Sequence, residues 1–287
     1  MRNIRLLAAC LFVALSSSAQ NFHLGVFGGL SNYEGDLVDG AYKQSKGAIG
    51  ITLAYELNDH WMARVGLTHA KVAGADKFSP KADLRLRNLS FESPVNEFSL
   101  VAEYSAFNLY ARRYTPYFFG GFAIYHFNPY TYATNGLQVS LKPLSTEGEG
   151  LTNYPERKLY ALTQMSIPFG GGVKFAVNDN IRIGLEVGFR KLFTDYLDDV
   201  SKTFVAESDL LAERGPQAVD FSYRSDEVGG SPLYPAKGQQ RGNDKFLDWY
   251  YFSGIHITFR LPGTKETAGK KSSYGGGKKY GCPSSPL

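Results

Sequence analysis

His23, His60, His69, His126 and His256 are the side chains with the widest chemical reach in this sequence of 287 residues. A metal centre or an acid–base site needs partners at short, regular spacing, and none of the five histidines has such a neighbour. No Gly-x-Ser-x-Gly elbow occurs. His69 and His126 fall near the ends of alternating runs, where a lipid-hydrolysing site could sit; a polar residue at an interface is the competing role. The acids Asp195, Asp198, Asp199, Glu207, Asp209 and Glu213 lack the spacing of a calcium loop, which leaves them as a solvated surface. The glycine tracts at 28–29, 120–121 and 170–172 lie inside strand patterns with no helix following, so they relieve strand curvature rather than cradle phosphate. The chain is therefore expected to be no enzyme, with no catalytic, cofactor-binding or metal-binding residues.

The charges that do recur in a pattern are Glu56, Arg64, Glu97, Glu103, Lys174, Arg182, Glu186 and Arg190. They sit on the polar side of runs with a period of two. In Ile181 to Arg190 the odd positions are all apolar, and the even ones read Arg, Gly, Glu, Gly, Arg. The same alternation marks 49–57, 61–68, 167–177 and 249–259, with weaker runs near 22–30, 95–105 and 114–127. That makes eight strands. Asn58-Asp59 and Asn178-Asp179-Asn180 join two pairs closely, and about nine residues around 108–113 join a third. Longer connections of roughly 31–44, 74–89, 129–165 and 197–247 alternate with them. Short turns alternating with long loops are the mark of an antiparallel transmembrane β-barrel with tight periplasmic turns and long outer loops.

A soluble sandwich or lipocalin-like barrel alternates as well. Three features favour the membrane form: charges of both signs at strand centres, terminal rings (Trp61, Tyr104, Trp249, Tyr251) placed as an aromatic girdle, and a last strand closing on Phe259. An eight-stranded barrel is just wide enough inside for its own side chains. Its eight charges should form a lumen ion-pair network, a plug rather than a pore, because buried charges must be paired.

The remaining composition agrees. Thirty-one Lys and Arg against 27 Asp and Glu give a formal charge of +4, without the concentrated basic face of a nucleic-acid binder. Two cysteines cannot build a disulfide scaffold. Arg2 and Arg5, the apolar run from Leu6 to Leu15 and Ser17-Ser18-Ala19 make residues 1–19 a signal peptide; a lipidated Cys10 is the rival reading, with too short an apolar stretch before it. Residues 20–260 form the barrel. Residues 261–287 carry five lysines against Glu266 and form a basic Gly/Lys-rich periplasmic tail, where Lys278, Lys279 and the odd Cys282 could contact a partner.

Tyr33-Glu34-Gly35-Asp36-Leu37, just after the first strand, resembles a segment of PorG-like outer-membrane barrels of Bacteroidota, associated with type IX secretion. The signal peptide ending in Ala-Gln, the Asn-Asp-Asn turn and the Tyr-Gly-Cys-Pro end at 280–283 fit the same group. The resemblance implies a non-enzymatic barrel that anchors a periplasmic secretion ring, bound by the tail and surrounded by outer-membrane lipid. Within Tyr33, Gly35, Asp36 and Leu37, the Gly-Asp pair is expected to make a tight turn with Asp36 accepting backbone bonds. The loop at 197–247 is long for a pure anchor. Adhesin-like recognition through the long loops, or a small lipid-modifying enzyme using His69 and His126, are the alternatives.

Overall fold

Asn58 and Asn178 open the two tightest turns in the same way. The Asn58 side-chain oxygen accepts from the backbone N–H groups of His60 (2.9 Å) and Trp61 (3.0 Å), and that of Asn178 accepts from Asn180 (2.9 Å) and Ile181 (2.8 Å). Asn108 accepts from Tyr110 (2.7 Å) in the third short connection. An asparagine closing its own backbone two and three residues on is what lets a strand reverse in so few residues.

The computed structural model describes residues 21–38, 40–230 and 233–262; residues 1–19 and the tail from 263 on, including Lys278, Lys279 and Cys282, lie outside them. The strands are β1 (Phe22–Glu34), β2 (Lys46–Glu56), β3 (Trp61–Ala75), β4 (Ser90–Ser105), β5 (Tyr114–Phe127), β6 (Tyr130–Tyr132), β7 (Gln138–Ser140), β8 (Thr163–Ala176), β9 (Ile181–Leu192) and β10 (Trp249–Arg260). β6 and β7 form a small hairpin that joins β4 at Glu92. The other eight pair antiparallel, each with its neighbour in sequence, and β1 pairs β10 from His23↔Arg260 to Glu34↔Trp249. The sheet is thus a closed up-and-down barrel of eight strands, which has no free edge.

The alternation decides which face is which. Phe118 is 65% exposed, while Tyr117 and Phe119 beside it are 0% and 6% exposed. Ile49, Ile51, Leu67, Phe122, Ile124 and Leu185 are exposed in the same way. A soluble barrel would turn these side chains inward; here the wall facing outward is the apolar one, which suits hydrocarbon. Glycines keep the inside clear: a Cβ on Gly188 would stand 2.7 Å from the Phe119 ring and 2.8 Å from the Arg190 guanidinium.

Rings mark the ends of the wall. Trp61 lies 5.1 Å from Tyr104 at the short-turn end, and Trp249 lies 6.0 Å from Phe169 at the other. Tyr251 departs from the expected girdle. It is 3% exposed, because Tyr42 of the first long loop packs over it at 5.4 Å and donates its backbone N–H to the Tyr251 hydroxyl (3.1 Å).

The four long connections (35–45, 76–89, 128–162 and 193–248) fold together at one end of the barrel, with helices α1 (Ala82–Arg87), α2 (Glu207–Arg214) and α3 (Pro216–Ser222). Leu37, Leu144, Leu151, Tyr154, Leu197, Val205, Leu210 and Phe221 build a core that continues into the barrel through Tyr125, Phe127 and Tyr250. The loops therefore form a packed cap.

A charge placed on the wall tests its environment. Ile51→Arg, at the middle of β2, should destabilise the folded barrel in phospholipid vesicles by about 2–4 kcal/mol in a urea titration.

Candidate functional site

The polar side of each strand meets its partners across the lumen, in three tiers. Nearest the short turns, Glu56 takes His23 (2.9 Å), the Tyr110 hydroxyl (3.0 Å) and Arg182 (3.4 Å). In the middle, Arg64 grips Glu186 through both terminal nitrogens (2.6 and 3.2 Å) and lies 3.6 Å from Glu103, which also pairs with Lys174. The Tyr117 hydroxyl donates to Glu186 (2.8 Å), and His256 is held by Thr52 (2.8 Å). Nearest the cap, Arg190 binds Glu97 with two bonds (2.9 and 3.0 Å), and the Tyr250 hydroxyl donates to the same carboxylate (2.7 Å).

All eight charges singled out from the sequence meet inside the barrel. Four carboxylates face four cations, each in an ion pair. Rings fill the space between them: Arg64 lies 4.8 Å from the Phe119 centroid and Arg190 lies 4.1 Å from that of Phe252. Between Glu56, Met62, Tyr110 and Arg182 a cavity of about 10 Å³ remains, roughly the space of one water molecule.

Above the plug the first long loop docks onto the last. The Tyr33 hydroxyl lies 2.6 Å from Asp198 and 3.0 Å from Asp248. It has one proton to give to two carboxyls, and burial raises both carboxyls well above the usual carboxylate range, which favours a protonated acid here. Asp248 and Asp198 also accept from the backbone N–H groups of Leu197 and Val200 (2.9 Å each). Gly35 is required here: a Cβ would fall 2.1 Å from both the Asp248 carboxyl and the Tyr33 hydroxyl. Asp36 accepts from the backbone N–H of Asn243 (2.8 Å), a bond to the last loop rather than within its own turn. Leu37 is buried in the cap core. Tyr33 to Leu37 thus form the joint between the first and last loops.

Acids beside this joint depart from the solvated surface expected of them. Asp195, Asp198 and Asp199 are at most 7% exposed, and Glu147 and Glu149 are fully buried. Arg241 compensates Glu147 (3.0 Å), and the Thr146 (2.6 Å) and Tyr160 (2.7 Å) hydroxyls donate to Asp199. Burial pushes Glu149 up to about 8, helped by the charges of Asp199 and Glu147. It likewise pushes Asp195 up to about 8 and Asp199 up to about 6. Sequence spacing missed this cluster because the loops have no period. Composition gave no signal either, since six of the twenty residues in 141–160 are apolar, against 43% in the whole chain.

His69 and His126 stand on the outer wall in one row of paired positions, His69↔Asn96↔His126↔Thr163. His69 bonds Asn96 (2.8 Å) and His126 bonds Thr163 (3.0 Å). Among the described residues no group of three or more His, Cys, Asp or Glu is arranged to hold a metal ion.

Fold and lumen together define an eight-stranded β-barrel of the outer-membrane type, with paired charges and rings inside it. The chain belongs to the family described as a domain of unknown function (DUF6089), whose model matches residues 2–209. No curated protein matches it. Among solved structures it is similar to Neisserial surface protein A, at 9% identity and TM-score 0.44 over 84% of this chain and 97% of that one. It is similar also to the outer membrane protein OprG from Pseudomonas aeruginosa (11%, TM-score 0.40, 84% and 98%) and to the outer membrane enzyme PagL (9%, TM-score 0.30, 84% and 99%). These are likenesses of fold, and function is argued from the residues of this chain.

Two outcomes check the site. Arg190→Ala strands Glu97 in the lumen and should cost about 3–5 kcal/mol by urea titration, whereas Arg190→Met combined with Glu97→Leu recovers most of that loss. In the cap, carboxyls that titrate near 4 when unfolded titrate at about 6 to 8 when folded. The folded cap thus holds more protons in that window, so the stability these three groups contribute is fully present below about pH 4 and is lost as pH rises towards 8. Cleavage of the 193–248 loop by a broad-specificity protease should accelerate from pH 5 to pH 9, and less so in Glu149→Gln.

Proposed function

We propose that this protein is an outer-membrane barrel that works without catalysis and without conducting, as a structural component of an envelope assembly of the type IX secretion kind. The observation that carries the reading is the lumen, in which four carboxylates and four cations pair off across the space a solute would have to cross. The outward apolar wall supports a place in lipid, with residues 1–19 as the export signal. The Tyr33–Leu37 segment, whose sequence resembles that of PorG-like proteins of Bacteroidota, supports the assembly. In this reading the short turns face the periplasm. The basic tail then meets a secretion-ring protein there, with Lys278, Lys279 and Cys282 at the contact.

A second reading, surface recognition, is favoured by one observation: the long loops are a packed cap whose buried core runs on into the barrel. Loops that serve only as strand connections need no such core.

Deletion of residues 261–287 separates the two. The deleted protein should still migrate as a heat-modifiable barrel, yet lose the periplasmic proteins that the full chain yields on crosslinking in membranes; Cys282→Ser should weaken the same capture. Unchanged capture after deletion would overturn the anchor reading, and loss of capture on trimming the 193–248 loop instead would favour recognition.

A further inference from the structure

The cap holds a cleft that the plugged-barrel reading does not use. Its volume is about 660 Å³, within the range of small-molecule sites, and it lies between the first loop, α1 and the last loop. Its floor is Gly35, Asp36 and Leu37 on one side and Arg241, Gly242 and Asn243 on the other.

The chemistry of the lining narrows the ligand. The charged residues are Asp36, Asp76 and Asp83 against Lys81, Arg87 and Arg241, three of each sign. Both guanidinium groups are already committed. Arg87 holds Asp76 with two bonds of 2.7 Å and reaches the backbone carbonyl of Arg241. Arg241 holds Glu147 (3.0 Å) and the backbone carbonyls of Asp199 (2.7 Å) and Ser222 (3.1 Å). Arg87 uses four of its five N–H groups this way, counting one to the Asp36 backbone carbonyl (3.4 Å), and Arg241 uses three, so little of either guanidinium is left for a phosphate or sulfate. The other lining groups are Lys81 and Asp83, exposed and of opposite charge, the half-buried Asp36 carboxylate, the exposed amides of Gln239 and Gln240, the Tyr223 ring and the half-exposed Leu86. Tyr223 is held edge-on to Phe204 at 6.0 Å, so its ring is a fixed wall.

We propose that this cleft binds a neutral oligosaccharide. Carboxylate and amide oxygens accept from sugar hydroxyls, amide N–H groups donate to them, and apolar C–H faces of the sugar ring pack on Tyr223 and Leu86. The balanced charge of the lining disfavours a strongly charged ligand of either sign. Gly242 keeps the cleft floor in place, because a Cβ there would stand 2.7 Å from the Asp36 carboxylate. The proposal rests on the recognition reading of the cap, whereas the anchor reading concerns the tail.

The test uses the full chain in a detergent without a sugar headgroup, followed by saturation-transfer NMR. The probes are cellotriose, chitotriose, maltotriose and mannotriose, with a sulfated disaccharide and spermidine as charged arms. At least one neutral trisaccharide should bind. Asp36→Asn, which keeps an acceptor for the Asn243 N–H, and Gln240→Ala, at an exposed side chain, should each weaken it about tenfold while heat-modifiable migration persists. The tail-deleted chain should bind as the full chain does. Binding of the sulfated probe or spermidine alone, no binding of any neutral probe, or neutral binding indifferent to both substitutions would overturn the proposal and leave the anchor reading untouched.

Discussion

Charge cancellation inside a tube one side chain wide is the constraint on which the rest of this structure depends. An ion left unpaired there is far costlier than one on a surface, so Glu97 needs Arg190, and Glu186 needs Arg64. Meeting the constraint dictates the strand pattern, because every second residue must reach inward to the same partners. It dictates the glycines too: Gly188 gives Phe119 and Arg190 their room. The plug then carries the cap. Tyr250 bonds Glu97 and packs edge-on against Tyr125 at 5.6 Å, Tyr125 stacks on Phe127 at 5.6 Å, and Phe127 lies parallel to Tyr160 of the third long loop at 6.1 Å. A continuous column of rings joins the salt bridges of the barrel to the core of the loops.

The barrel is legible in the sequence because a strand advertises itself locally. Ile181 to Arg190 can be assigned by inspection, and Asn58 and Asn178 announce their turns by residue type. The eight lumen charges can be chosen in the same way, since each occupies the polar phase of its strand. Their partners cannot. Arg64 and Glu186 are 122 residues apart, and closure of the barrel alone decides that they meet. Periodicity is equally silent on which face is outside, and the exposure of Phe118 beside the buried Tyr117 answers that in three dimensions.

The cap is where sequence reading falls short, for a physical reason. Loop residues carry no period, so burial there is decided by tertiary contact. Asp198 and Asp199 look like solvated acids and prove to be interior hydrogen-bond hubs, served by Tyr33, Tyr160 and Thr146. The Tyr33–Leu37 segment stands out by its residues, yet the demand on Gly35 is set by Asp248, more than two hundred residues away. Tyr251 makes the same point in reverse: its phase is that of a lipid-facing ring, and a loop covers it. A buried carboxyl cluster with few cations makes the cap the pH-sensitive part of a molecule whose barrel is charge-balanced.

A lumen filled by ion pairs and rings should not conduct. The most direct measurement is ionic current through the full chain reconstituted in a planar lipid bilayer, at neutral pH and with voltage of either sign. A barrel sealed by its own ion pairs gives a flat baseline, and opening of the Arg190–Glu97 tier by Arg190→Ala changes it only if the remaining tiers also yield. Regular, long-lived current steps from the unaltered chain would contradict the account, since they require a water-filled path past Arg64, Glu103 and Glu186.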